Sequence, residues 1–251
     1  MSPADRRPQH PASTLKYLGR LYADEAKEHA CWAKTPSGIL AWQSVARPAL
    51  QRLLGLESMT LALRDHEPSV ELGEAEDLGD YTRQPGHIET EPDVPIPFWL
   101  LKPKDGGRKP LAITSHGHEA RGFDTYAGIT RDEEHRRRRI VEAEADVAVQ
   151  AARRGFIAIA PNTRGFEPSY VPDLNKRHDN RHCRSQLIHC LLAGRTVIGE
   201  RVWDVQRIID WAVTLPDEDA NRLLMMGKSG GGVRTTYAAA CDTRITVAVP
   251  S

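Results

Sequence analysis

The chain has 251 residues with 34 Lys+Arg against 34 Asp+Glu, a formal net charge of zero that gives no general attraction to nucleic acid or to an anionic membrane. No stretch approaches the roughly 18 uninterrupted apolar residues of a membrane span. The start, Met1-Ser-Pro-Ala-Asp-Arg-Arg, has basic residues but no apolar segment behind them, so no secretory leader is read and a cytoplasmic location is expected. Cys31, Cys183, Cys190 and Cys241 form no C-x-x-C pair and fit free thiols in a reducing compartment.

Residues 1–13 are Pro-rich and polar and are expected to be disordered. From residue 14 to 68 the pattern is that of a helical extension. Leu15, Leu18, Leu21 and Tyr22 fall at helical spacing, and after the break Thr35-Pro36-Ser37-Gly38 so do Trp42, Val45, Leu50, Leu53 and Leu54, up to Gly55. A core is expected over 69–251. Tyr81 to Thr90 and Phe98 to Lys102 read as strands around a Pro-rich turn, Glu91 to Pro97, and Leu111 to Thr114 is a short buried strand running into Ser115-His116-Gly117-His118. The run His135-Arg136-Arg137-Arg138-Arg139 lies among Glu133, Glu134, Glu142 and Glu144 and reads as a solvated, salt-bridged helix face rather than a nucleic-acid patch.

Beyond residue 140 strand and helix alternate. Ala143 to Arg154 is helical, Phe156 to Ala160 is an apolar strand, and Gln186 to Leu215 is helical with an interruption near Gly194 to Gly199. Leu223 to Met226 is a strand, Val233 to Cys241 a helix, and Ile245 to Val249 a last strand. Short, fully apolar strands separated by helices predict a mostly parallel sheet covered on both faces.

Chemistry concentrates at Gly227-Lys228-Ser229-Gly230-Gly231-Gly232. A serine inside Gly-x-Ser-x-Gly, between a strand and a helix, has the form of a nucleophile elbow, in which Gly227 and Gly231 remove the side chains that would clash in a tight turn. Such a serine needs a base, an acid to orient the base, and donors for the oxyanion. The backbone N–H of Gly230 and that of His118, in the glycine-containing loop after the third strand, are the expected donors. His116-x-His118, with His178, Asp179, His182 and His189, also raises a metal reading, but no second pair has tight ligand spacing and the serine has no place in it. Neither metal nor cofactor is expected.

The succession resembles the α/β-hydrolase fold, and within it the dienelactone-hydrolase-like and acetyl-xylan-esterase-like serine esterases. The similarity is carried by His116-Gly117-His118, by Ala151 to Gly165 around the fourth strand, by Arg201-Val-Trp-Asp204 with Arg207 and Asp210, by the hexapeptide, and by Asp242-Thr-Arg-Ile245. The resemblance implies Ser229 as nucleophile, Gly230 and His118 as oxyanion hole, and a carboxylic ester, acetyl esters included, as small-molecule substrate of an acyl-serine mechanism.

In that fold the acid and the histidine follow the serine in chain order. After Ser229 this sequence has no histidine, and its only carboxylate there, Asp242, sits beside Arg244 as a turn or ion-pair residue. The strand Ile245 to Val249 would be an apolar edge. The expectation is therefore the N-terminal portion of a longer hydrolase, incomplete after about strand six, with acid and base beyond residue 251; the alternative is an inactive hydrolase-fold protein that binds a ligand or partner. The loops 119–139 and 167–184 would form the substrate rim. Their polarity suits acylated sugars or small polar esters, whereas Trp99, Trp203 and Trp211 lie in apolar patterns and read as core.

Overall fold

Alternation of large and small apolar side chains decides how the central strands are covered. In Leu111-Ala112-Ile113 and Ile157-Ala158-Ile159-Ala160, successive residues point to opposite faces, so the bulky set lies on one side and the alanines on the other. The computed structural model describes residues 14–24, 27–169 and 182–251. These form two compact units, Met1–Ala49 and Leu50–Ser251.

The first unit contains α1 (Leu15–Asp24), which buries none of its side chains, and most of α2 (Pro36–Leu54). Thr35 caps α2 by accepting the Gly38 N–H at 3.1 Å, and the Trp42 indole donates to the His29 carbonyl at 2.8 Å. The expected disorder of residues 1–13 lies outside the described residues.

The second unit begins at Leu50, inside the stretch expected as a helical extension. Leu54, with Leu56 and Met59 of α3 (Leu56–Ala62), is buried in its main core. Among the described residues its sheet has eight strands. β1 (Ser69–Leu72) and β2 (Glu76–Asp77) both pair with β3 (Tyr81–Glu91), and the remaining order is β3, β4 (Val94–Pro103), β6 (Ile157–Pro161), β5 (Lys109–Ser115), β7 (Glu218–Gly227), β8 (Val247–Pro250). Pairing is antiparallel from β1 to β6 and parallel from β6 through β5 and β7 to β8.

The turn expected over Glu91–Pro97 shrinks to Pro92 and Asp93, and Pro95 and Pro97 belong to β4. The Pro97 carbonyl accepts the Asn162 N–H, so the edge of Pro97 that lacks a donor faces the β6 side. Pairing with β6 starts only at Phe98, so neither proline interrupts a ladder. The predicted strand at Leu223 extends back to Glu218, and the predicted strand at Ile245 starts at Val247, because Ile245 is buried in the core before the chain turns outward.

The crossover helices divide by face. α8 (Val197–Ala212) and α9 (Gly230–Cys241) cover the bulky face, with Val202, Val205, Ile208 and Ala238 buried against Leu111, Ile113 and Ile159. α6 (Val147–Arg153) covers the other, where Ala148, Ala151 and Ala152 meet Ala112, Ala158 and Ala160 at close range. Trp203 and half-buried Trp211 pack in the core, and Trp99 donates its indole N–H to Asp124 at 2.7 Å. From β5 the chain goes first to β6 on one side and later to β7 on the other. Such a reversal opens a crevice at the carboxyl ends of the strands, where open α/β sheets bind ligands.

Candidate active site

Pairing of Ser115 with Gly227 at the ends of β5 and β7 brings the two signature loops into contact. A side chain at Gly117 would meet the Lys228 carbonyl at 2.9 Å and the Ser229 Cβ at 3.3 Å, so this glycine lets the β5 loop lie directly against the turn. The close approach is equally strict on the other side. A Cβ at Gly227 would stand 2.5 Å from the Gly231 carbonyl oxygen, and one at Gly231 only 1.9 Å from that of Ser115.

Ser229 joins β7 to α9 with φ 56° and ψ −119°, a left-handed conformation that a residue with a Cβ adopts at a cost. Its hydroxyl is exposed and makes no hydrogen bond among the described residues, and its N–H donates to the Ser251 carbonyl at 2.6 Å. Neither the Gly230 nor the His118 backbone N–H has an acceptor among the described residues. The exposed His118 ring stands edge-on to Phe166, 5.2 Å between centroids, close to the Gly230 Cα.

Behind this surface His116 is buried and its Nδ1 lies 2.9 Å from the Gly117 carbonyl. Burial, aided by the Arg234 charge, pushes its pKa down to about 3, so the ring is neutral at physiological pH. Arg234 is itself buried on α9. It donates from Nε to the Ser115 hydroxyl and from one terminal nitrogen to the Asn162 carbonyl at 3.2 Å, tying α9 to the ends of β5 and β6. Burial, with the Arg201 charge second, pushes its pKa down to about 9.

A cavity of about 420 Å³ opens over Ser229, Gly117 and His118. Its far wall comes from the loop 119–139 expected as rim. Glu119 accepts from His135 Nε2 at 3.2 Å, from the Thr125 hydroxyl at 3.2 Å and from Arg139. Tyr126, Arg131, Arg138 and Lys228 complete the lining. The second expected rim, 167–184, lies largely outside the described residues, as do His178, Asp179 and the His182 side chain; His189 faces the Ser185 carbonyl of its own helix, α7 (His182–Leu192). Among the described residues no three His, Cys, Asp or Glu side chains converge as metal ligands.

The arginine run divides between two environments. After the short helices α4 (Gly122–Tyr126) and α5 (Glu133–Arg136) the chain makes a π-helical turn over Arg137–Val141. Arg136 pairs with Glu133, and Arg137 with Glu134 and Glu142, as a salt-bridged surface. Arg138 and Arg139 instead face the cavity, which corrects the reading of the whole run as a solvated face. Asp242 is an ion-pair residue: its carboxylate accepts from Arg244, which also reaches Asp210 at 2.6 Å.

No protein-family model matches the chain, and no curated protein matches it in sequence. Solved structures do. A protein assigned as an acetyl xylan esterase from Bacteroides fragilis superposes with a TM-score of 0.70 at 17% identity, covering 98% of this chain and 63% of that one. The fold is that of the α/β-hydrolases. A methylesterase aligns with a TM-score of 0.60 at 19% identity over 93% of this chain and 43% of its own, and a glucuronoyl esterase from Solibacter usitatus at 0.54 and 17% over 87% and 64%. The chain thus spans between about two fifths and two thirds of the length of these structures. In its α/β-hydrolase sheet, β8 is an edge strand with exposed side chains. No helix among the described residues is long and apolar enough to cross a membrane.

Proposed function

We propose that the chain carries the nucleophile and the oxyanion donors of a carboxylic-ester hydrolase. The observation that carries this reading is the strained backbone of Ser229 at a strand-to-helix turn, with its hydroxyl at a cavity and, among the described residues, no partner for that hydroxyl or for the Gly230 and His118 N–H groups in the flanking segments. The Ser229 oxygen adds to the ester carbonyl, its proton passes to a base, and the carbonyl oxygen becomes an oxyanion held by the two N–H groups. Collapse expels the alcohol, which takes up a proton, and water then releases the acid from the acyl-serine. The fold shared with esterases supports the reaction class.

The proton acceptor is unassigned. His116 is buried and neutral with a strongly depressed pKa, and Asp242 is held by Arg244, so neither suits the acid–base part. A fluorophosphonate probe tests the assignment: mass spectrometry should place the adduct on Ser229, and Ser229→Ala should lose it. Equal labelling of both proteins refutes the nucleophile. Absence of labelling together with ligand binding in the cavity would favour the inactive, ligand-binding alternative.

A further inference from the structure

The cavity over Ser229 is walled by four permanent cations, Arg131, Arg138, Arg139 and Lys228, against one carboxylate, Glu119. Glu119 is already engaged by Arg139, His135 and Thr125. Arg131, Arg138 and Lys228 are exposed, and their side chains make no hydrogen bond or ion pair among the described residues. Their neighbours behave otherwise: Arg136 and Arg137 find Glu133, Glu134 and Glu142 on the outer surface. Within the arginine run, the member without a partner among the described residues, Arg138, is therefore one that lines the cavity.

The local backbone accounts for this sorting. In the π-turn the Glu142 N–H reaches the Arg137 carbonyl five residues back, at 3.0 Å. A wider turn subtends a smaller angle between consecutive residues than an α-helix does, so Arg138 and Arg139 can share a face while Arg137 keeps its carboxylates. Interruptions of this kind are frequent at functional sites.

We infer that the ester turned over at Ser229 bears a carboxylate, which Arg131, Arg138 and Lys228 hold beside the reacting carbonyl. The inference rests on the ester-hydrolase reading for the reaction and deepens it by naming the substrate class. Guanidinium groups suit a carboxylate because their paired N–H donors match its two oxygens, and a partly enclosed cavity reduces the screening such contacts suffer on an open surface. A neutral acyl sugar would leave three cations of one cavity lining without an ion-pair partner among the described residues, whereas a carboxylate supplies one.

The test is a binding comparison in Ser229→Ala, which removes turnover. Monobenzyl succinate, with its carboxylate on the acyl side, is compared by calorimetry with benzyl methyl succinate, in which that group is methylated. A second pair, 4-(acetoxymethyl)benzoate and its methyl ester, places the charge on the alcohol side. At least one anionic member should bind about tenfold more tightly than its neutral partner, the advantage expected of a charge-assisted contact. Arg131→Gln, Arg138→Gln and Lys228→Gln together should bring the anionic ligand's affinity down to that of its neutral partner in the same variant, and 0.5 M salt should shrink the advantage in the parent protein. These side chains are exposed, and an unchanged thermal melt confirms that the variant folds. Equal affinities within both pairs, or a preference that survives the triple substitution, overturns the inference. Failure of fluorophosphonate labelling with the charge preference intact would instead sink the ester-hydrolase reading alone.

Discussion

Adjacent glycines in the turn after Ser229 should respond to alanine in opposite ways. A Cβ on Gly231 stands 1.9 Å from the Ser115 carbonyl oxygen, 2.6 Å from its carbon and 2.8 Å from the His116 oxygen. All three are backbone atoms at the end of a central strand, so the relief must come from α9. To restore an ordinary contact the helix start has to retreat by about 1.5 Å, breaking its packing on β5. Overpacking of this kind costs about 1–3 kcal/mol or more, against a gain of about 1 kcal/mol in helix propensity. With a contact as short as 1.9 Å the cost lies at the upper end of that range, so Gly231→Ala should lose up to about 2 kcal/mol net. At Gly230 the nearest atoms are those of the exposed His118 ring, at 3.0 Å, which can turn aside. Gly230→Ala should be neutral or gain up to about 1 kcal/mol. Urea unfolding followed by tryptophan fluorescence measures both, with Gly106→Ala, where nothing lies within 4 Å, as reference. Coincident midpoints for Gly231→Ala and Gly230→Ala would refute the proposed contact between α9 and β5. Because α9 carries Ser229 at its start, Gly231→Ala should also lose probe labelling while Gly106→Ala keeps it.

Three further outcomes follow from other parts of the same unit. Ser229→Gly removes the Cβ from a left-handed backbone and should stabilise by about 1 kcal/mol, strain relief exceeding the added chain entropy, while Ser229→Ala should not; equal unfolding midpoints would mean that the turn is unstrained. Asp204 is buried, accepts from Thr90 at 2.6 Å and from Arg164, and holds the buried Arg164 guanidinium with Glu91 and Glu200; Asp204→Ala should cost about 3–5 kcal/mol in urea unfolding, and a loss below 1 kcal/mol would show that this network is dispensable. His116 has a folded pKa of about 3 against 6.5 when exposed, so as the pH falls below 6.5 the unfolded chain takes up a proton that the folded one refuses. Its stability contribution is complete above 6.5 and falls by up to about 1.4 kcal/mol per pH unit down to about 3. His116→Gln should flatten the pH profile over that window, and parallel profiles for the two proteins would sink the burial argument.

What could be read from the sequence depended on whether the determining contact was local. The turn at Ser229 was legible because a tight strand-to-helix turn demands glycine two positions either side: Gly227 is required by the Gly231 carbonyl within the turn itself, whereas the pattern alone does not show that Gly231 is required by the Ser115 carbonyl of β5. Strand and helix positions were likewise visible in short apolar runs, and the interruption between α7 and α8 at Gly194, although Gly199 lies within α8. Boundaries failed where tertiary contact overrode composition. Pro95 and Pro97 look like a turn until the end of the antiparallel β6 at Pro161, opposite Phe98, leaves their nitrogens facing no ladder partner, and the end of α2 with α3 looks like an appendage until Leu54 and Met59 close the core.

The arginine run exposes a deeper limit. Charge counting pairs each arginine with a nearby glutamate, and four glutamates for four arginines suggest a neutral surface. The structure shows that proximity in sequence is not pairing. Arg139 reaches back 20 residues to Glu119, Arg138 takes no partner among the described residues, and a single π-turn sets which side chains face outward. Periodicity analysis assumes a fixed angle per residue, so it cannot see the one place where that angle changes. Arg234 escaped notice for a related reason: on an alanine-rich helix it reads as the polar face, yet it is buried and fastens Ser115 to Asn162 beneath the turn. The hydrophobic pattern thus located the scaffold of the Ser229 turn, while the charges around its cavity had to be read from three-dimensional neighbours.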